Sequence, residues 1–345
     1  MKKWIVFLSS ILIVFNVYAE KVADLPDVKD PYSISVNGNN LFFVDDFSVF
    51  VYSINPCKLK ARFGKKGEKS GEFQYRPTLW IHDDSIVVSD YMKTLWFTKG
   101  GEFVREKRYT DFQGFEPGME MQLFPVGGNY VRAIVSHELN RRYVYLLDSR
   151  FNQVKKLYEG LFDWNQVGPK MKEFRALVSR IDVLTWEDKI FISDNQKRFL
   201  INVFNHKGEH LYTINKDNDV GKVIVTEDFK KKVFEDIRKN RKWLYENVKK
   251  DLYTFKEFFP PIKSFRVSDN MIYVMTYKEK ENKHEIIILD LKGKILKRVF
   301  LPVKSFKYYR NQLELELYTI ENGKLYEFVK NKDTETWELH LTDIN

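Results

Sequence analysis

FGKKGEKSGEFQYRPTLWIHDDSIVVSD, residues 63–90, opens on Phe63-Gly64, spaces glycines at Gly67 and Gly71, passes Phe73 and Pro77, and closes an apolar strand on Val87-Val88-Ser89-Asp90. The glycines supply the turn conformations of a link between two strands. The proline stands where a strand begins and no ladder N–H is required. Such a succession is the joint between consecutive blades of a propeller. These glycines do not make a phosphate loop, because no Gly-Lys-Ser/Thr follows them ahead of a helix.

Working outward from the joint, one hairpin recurs. It reads Phe97-Thr98-Lys99-Gly100-Gly101-Glu102-Phe103-Val104, again as Phe204-Asn205-His206-Lys207-Gly208-Glu209-His210-Leu211, and again as Leu289-Asp290-Leu291-Lys292-Gly293-Lys294-Ile295-Leu296. Residues 147–154 are a degenerate copy. Ahead of each hairpin lies another apolar strand, ending in aspartate at residues 41–46, 85–90 and 189–194 and without the acid at 130–137 and 271–276. The period, roughly 45 to 60 residues apart from one long gap, suits four short antiparallel strands per blade. Units fall near 32–63, 77–107, 119–158, 178–214, 263–300 and 313–342, which makes the chain an all-β, six-bladed propeller. In the last unit, residues 314–319, 324–329 and 336–341 supply strands but leave a fourth missing. Residues 20–30 are expected to fill it, closing the ring between the two ends of the chain and removing an unpaired edge.

The joint from Phe63-Gly64 through Gly67, Gly71, Phe73, Pro77 and Asp90 resembles the NHL repeat, and the chain resembles exported bacterial six-bladed β-propellers of that superfamily. The resemblance covers most of the chain and implies a single propeller domain. Related propellers include metal-dependent lactonases, lyases and hydrolases with ligands at the axial channel. Their ligands find no residue-by-residue match here, so no site residue is carried over.

At the N-terminus, Lys2-Lys3 precede a largely apolar run from Trp4 to Phe15, and Val17-Tyr18-Ala19 sets small side chains where a signal peptidase reads. Residues 1–19 are therefore expected to be a signal peptide, leaving residues 20–345 as one exported domain, periplasmic or secreted. The run falls short of the roughly 20 apolar residues of a membrane helix. Cys57 is the only cysteine, so no disulfide staples the fold. The formal charge of +9, from 57 Lys+Arg and 48 Asp+Glu, is modest for 345 residues. It implies at most weak attraction to anionic envelope polymers or headgroups. No nucleic-acid partner is expected of an exported chain, and a monomer is.

The long gap has its own pattern. From Thr226 to about Tyr253 the period becomes helical, with Phe229, Val233, Ile237, Leu244 and Val248 near one face, Thr226 as N-cap and Pro260-Pro261 as a stop. This predicts a helical insertion at about 218–260 between the fourth and fifth blades. Its polar face carries Lys230, Lys231, Arg238, Arg241 and Lys242, the residues for any contact with an anionic surface.

Chemistry is harder to place. The turn after a blade's second strand and the connection to the next blade emerge on one face, which gathers Asp46, Asp90 and Asp194 with the insertion. Tyr91 and His137 belong to the same candidate binding face. Two readings stand for these aspartates: carboxylates lining a mouth beneath a basic lid, or caps that accept backbone N–H bonds in their own turns. The six histidines form no helical i, i+4 pair, and His206 and His210 straddle a hairpin turn. Asp217-Asn218-Asp219 with Gly221 resembles the start of a calcium loop but lacks its alternating acids and bidentate glutamate. No cofactor is expected, with calcium the one cation left open. No Gly-x-Ser-x-Gly elbow occurs, and nothing around Cys57 favours its thiolate. The aromatic content of 16% suits packing between blades. The reading that results is a binding or scaffolding propeller whose loop-rich face meets a protein, peptide or glycan. The alternative is a propeller enzyme, a hydrolase, lactonase or lyase working at the axial channel.

Overall fold

In a computed structural model of the chain, the structure describes residues 19–344 apart from 83, 91, 109–120, 137, 138, 140, 162–173, 176–180, 195–197, 241, 249, 305 and 310–312. Six four-stranded antiparallel sheets form the blades, at residues 31–63, 78–108, 121–161, 181–215 and 264–301, with a closing blade of residues 318–343. The closing blade takes its outermost strand from Glu20–Leu25, which pairs antiparallel with Trp337–Asp343, Glu20 opposite Leu341 and Leu25 opposite Trp337. The two ends of the chain thus share one sheet, as the missing strand predicted. First strands of neighbouring blades touch all the way round, the closing blade's Tyr318–Glu321 meeting both Ser264–Ser268 and Pro31–Asn37.

Packing follows from a strand in mid-blade having two buried faces, so its sequence reads as a continuous apolar run. In Asn40–Asp45 every residue from Leu41 on is buried. Phe42 and Val44 enter the cluster shared with the next blade, while Leu41 and Phe43 enter the cluster shared with the closing blade. One such cluster fills each of the six gaps between blades. The aromatics concentrate there: Phe43 stacks on Phe50 at 5.2 Å and meets Phe328 of the closing blade edge-on at 4.9 Å. Outermost strands such as Lys58–Phe63 are largely exposed.

The recurrent hairpin is one structure repeated. In each copy a backbone N–H at the fourth turn position returns to the first carbonyl, as from Gly101 to Thr98, Phe151 to Asp148, Gly208 to Asn205 and Gly293 to Asp290, all at 2.9 Å. The fourth residue lies in the left-handed region, at φ 92 for Gly101, 75 for Gly208 and 86 for Gly293. The outer strand then carries a bulge. At Gly293 a Cβ would also stand 2.7 Å from Ile214 of the preceding blade, so glycine is required twice over.

The joint at residues 64–77 is a folded plug. Gly64, at φ 81, leaves room for Phe73, whose ring would lie 2.5 Å from any Cβ there and which is fully buried between the first two blades. Lys93, buried at its side chain, reaches Lys69 O and Glu106 Oε2 at 3.0 Å each, and Glu106 also accepts the Gly71 N–H.

Two expectations need correction. Residues 314–319 are not one strand of the last blade: Leu313–Glu316 pairs with Phe306–Tyr309 as a separate hairpin, and the blade begins only at Tyr318. Leu317, buried between them, gives its carbonyl to the Phe328 N–H, and this contact marks the change of sheet. The 41–46 and 85–90 strands each stop one residue short, at Asp45 and Ser89, and Asp46 at φ 55 begins its turn. The insertion lies where the long gap placed it, after the blade ending at Asn215 and before the one beginning at Ser264. These are the fourth and fifth blades counted from residue 31, or the fifth and sixth if the blade holding Glu20–Leu25 is counted first.

Candidate functional site

The face that bears the inter-blade connections is built by carboxylates at the ends of second strands. Asp45 accepts the backbone N–H groups of Lys29 at 3.0 Å and Asp30 at 2.6 Å. Asp90 does the same for Gln74 and Tyr75 at 2.9 and 3.3 Å, and its other oxygen accepts Met92 and Lys93 N–H at 2.7 and 2.9 Å. In the closing blade Glu327, inside the second strand Lys324–Lys330 and not at its end, takes the Lys304 N–H. In each case the carboxylate pins the incoming connection to its blade. Asp46, one position beyond Asp45, is exposed in its turn. Asp194 accepts the hydroxyl of Tyr158, on the outer strand of the preceding blade. Burial and that bond push the Tyr158 hydroxyl well above its ordinary pKa. Tyr91 and His137 lie outside the described residues.

The connections also tie to one another. The Arg76 guanidinium donates to both the backbone and the side chain of Asp30, at 2.7 and 2.6 Å, and lies over the Tyr32 ring. Trp337 Nε1 donates to Lys29 O at 3.0 Å. This part of the face is a linked polar network, open to solvent at Asp30.

The insertion is different. Its two ends pair as a short stem, with the Val225 N–H on Glu257 O and the Phe259 N–H on Val223 O, both at 2.9 Å. Above the stem, helix α1 spans Glu227–Asn240 and α2 spans Lys242–Asn247. Thr226 caps α1 through its hydroxyl to the Phe229 N–H at 3.2 Å, and Glu227 and Asp228 sit in the first turn, where the helix dipole favours them. Val233, Ile237 and Val248 form a cluster of their own with Phe229, Leu252, Tyr253 and Phe255. Tyr253–Thr254 pairs in parallel with Phe174–Arg175 of the connection one blade earlier, so two long connections are stitched together. On the other side Phe259 stacks on Tyr277 at 4.3 Å and meets Phe229 edge-on at 4.7 Å.

The predicted basic face is partly neutralised within the helices. Lys230 pairs with Glu227 at 2.6 Å, Lys231 with Asp228 at 3.7 Å and Lys242 with Glu246 at 3.8 Å. Arg238 is exposed, and Arg241 lies outside the described residues.

Between α1 and the returning chain runs an open groove of about 630 Å³, lined by Lys230, Phe234, Lys250, Asp251, Tyr253 and Phe255. Phe234 meets Tyr253 and Phe255 edge-on at 5.0 and 5.8 Å, which makes an aromatic floor. Lys250 Nζ lies 5.4 Å from the Phe234 centroid and Lys230 Nζ 5.8 Å from that of Phe255. The sequence pattern passed over the three rings. Phe234 sits one step off the apolar helix face beside Val233, and Tyr253 and Phe255 alternate at strand spacing just past the helices, the one local signal that marks them.

Elsewhere, Asp217 accepts the Phe199 N–H at 2.5 Å and faces Arg198, and Asp219 faces Lys216, so the segment that resembled a calcium loop is a turn bound to its own surroundings. Among the described residues no group of three or more His, Cys, Asp or Glu is placed to hold a metal ion. Burial pushes the Cys57 thiol up, away from thiolate.

No protein-family model matches the chain, and no curated protein matches it. Among solved structures, a member of the DUF4221 family from Bacteroides vulgatus superposes with a TM-score of 0.55 at 11% identity, over 94% of this chain and 97% of that one. A Bacteroides caccae protein of unknown function gives 0.42 at 10% identity, over 78% and 81%. The β-propeller domain of Myceliophteria thermophila Cps50 (Swd1) gives 0.43 at 10%, over 94% and 99%. At such identities likeness extends to fold alone, and the chain is a six-bladed β-propeller similar in fold to the Bacteroides vulgatus protein.

Proposed function

We propose that this chain is an exported binding or scaffolding propeller that presents its connection face, at the helical insertion, to a protein, peptide or glycan partner. One observation carries the reading: the insertion has its own apolar core and stem, yet keeps aromatic rings and lysines in an open groove instead of burying them against the blades. Long ordered connections on one propeller face are where binding residues concentrate, because a rigid scaffold positions them. Export rests on the charged and apolar N-terminal pattern, and Glu20, the residue expected after the cut, is the first of a blade strand.

The test is site-specific photo-crosslinking in the native host. A photoreactive side chain at Ile224 or Tyr245, both exposed on the insertion, is expected to capture a partner, and one at Leu211 or Leu296, exposed near the opposite face, is not. Adducts only from the Leu211 and Leu296 sites, or none from any site, overturn the reading. N-terminal sequencing of the exported protein is expected to start at Glu20, and retention of Met1 on cytoplasmic protein overturns export.

A further inference from the structure

We propose that the groove between α1 and the returning segment binds an acidic peptide segment whose carboxylates alternate with aromatic or aliphatic side chains. This rests on the binding reading above and names its ligand chemistry.

The floor and rim of the groove ask for different things. Phe234, Tyr253 and Phe255 offer ring faces and edges that gain from covering by apolar groups. Lys250 is exposed and Lys230 half-buried, and each ammonium rests near a ring, at 5.4 and 5.8 Å. Lys250 makes no ion pair among the described residues, so its ammonium can exchange a weak ring contact for a carboxylate, whereas Lys230 already holds Glu227 at 2.6 Å and can only share that charge with a ligand. A lysine ammonium is a point charge on a flexible stem, so it accepts a carboxylate without the fixed fork geometry that arginine imposes.

The charges at the groove balance, Lys230 and Lys250 against Glu227 and Asp251, so attraction for an anion is local to the Lys250 end. Glu227 pairs with Lys230 at 2.6 Å from an exposed position, where solvent screens it, and Asp251 is the one carboxylate on the lining. Among the described residues Lys250 is the cation over the Phe234 ring. Single carboxylates spaced along a chain suit this arrangement better than a dense polyanion.

The lining also selects peptide over sugar. Apart from the two ammonium groups, only Asp251 and Tyr253 carry polar side-chain atoms among the six lining residues. A saccharide presents a hydroxyl at nearly every ring carbon and depends on matched donors and acceptors, since each unpaired polar group costs affinity. A peptide needs fewer such partners when its apolar side chains cover the rings and its carboxylates reach the lysines.

The probe is a short fluorescein-labelled peptide of repeated Glu-Glu-Phe triplets, followed by anisotropy with the full mature protein. Its Lys-Lys-Phe counterpart and polygalacturonate serve as the other arms. The acidic peptide is expected to bind, to weaken with rising salt, and to lose affinity about tenfold on Lys250→Glu. Asp251→Lys is expected to tighten it. Both positions are exposed, and unchanged melting curves show that the variants fold. The proposal is overturned if the Lys-Lys-Phe peptide binds as tightly, or if Lys250→Glu folds and binds as the parent does. It is equally overturned if polygalacturonate outcompetes the peptide in a Lys250-dependent way, which would assign the groove to an acidic glycan. Crosslinks from Ile224 and Tyr245 surviving any of these results would leave the binding face in place with a different ligand.

Discussion

Replacing Asp45 with alanine strands two backbone N–H groups, those of Lys29 and Asp30, whose acceptor it supplies at 3.0 and 2.6 Å within a buried carboxylate. Hydrogen bonds to a charged acceptor contribute about 1.5–3 kcal/mol, and unpaired donors add to the loss. Asp45→Ala is therefore expected to lower the unfolding free energy by about 2–4 kcal/mol in urea titration. Its neighbour behaves oppositely. Asp46 is exposed at φ 55, where glycine is relaxed, so Asp46→Gly is expected to be neutral or to stabilise by a few tenths of a kcal/mol. Equal losses at both positions would contradict this division of labour. The sequence made a terminal aspartate visible but not which of two adjacent acids it was, because a shift of one residue exchanges the faces of a strand. Titration gives a second handle at this scale. His284 is buried beside Lys263, and burial first, then that charge, lowers its pKa to about 3. Glu279 Oε1 lies 3.3 Å from its Nδ1 but is largely exposed and screened. The folded state keeps the ring neutral while the unfolded chain protonates near 6.5. Stability from this group is thus complete above about pH 6.5 and falls as pH drops from there toward about 3. His284→Gln is expected to flatten that slope, with about one proton fewer taken up on unfolding. An unchanged slope counts against it.

At the scale of elements, the repeated hairpin was legible because its chemistry is local. A turn with a left-handed fourth residue selects glycine, and its first residue supplies a side-chain oxygen to the turn's N–H groups. Thr98, Asp148, Asn205 and Asp290 all do so, for example Asp148 Oδ1 to the Arg150 and Asn152 N–H groups at 2.8 Å. The degenerate copy keeps this geometry with Phe151 at φ 68, because its ring is buried against Tyr130 at 4.5 Å and Trp96 at 5.8 Å. Packing there outweighs backbone preference. Gly293 shows the opposite balance, and Gly293→Ala is expected to cost about 1–3 kcal/mol, from the left-handed φ of 86 and a Cβ 2.7 Å from Ile214. Chemical denaturation checks it, and parent-like stability would show that the neighbouring blade gives way. The groove was not legible in the same manner. Its rings come from a helix and from the chain past it, brought together by the stem, the pairing of Tyr253–Thr254 with Phe174–Arg175 and the insertion's own apolar cluster. Helical periodicity marks the face that packs and is silent about a ring one position away from it.

On the scale of the whole molecule, the ring depends on one strand whose partner lies at the far end of the chain. Glu20–Leu25 covers the edge of Trp337–Asp343, and Leu25, fully buried, joins the apolar cluster between the closing blade and the blade of residues 31–63. Lys21 adds an ion pair to Glu338 at 3.1 Å, and Glu338 is also held by Asn331 and His340 at 2.8 and 2.7 Å. Six sequence units with one strand short was enough to foresee this arrangement, since an open blade edge must be paired or hidden. Removal of residues 20–25 is expected to leave secondary structure largely intact while exposing the backbone donors and acceptors of Trp337–Asp343. Two consequences are separable. Melting temperature should fall, because a buried leucine and one ladder are lost, and the truncated protein should associate at rising concentration, because the bare edge pairs with another copy. Adding a synthetic peptide of residues 20–25 in trans should reverse both by re-covering the edge, although the entropy of a separate chain makes this require excess peptide. A truncated protein that stays monomeric in light scattering and melts with the parent would mean that the ring is held by its inter-blade clusters alone, and that the terminal strand merely decorates an edge already protected.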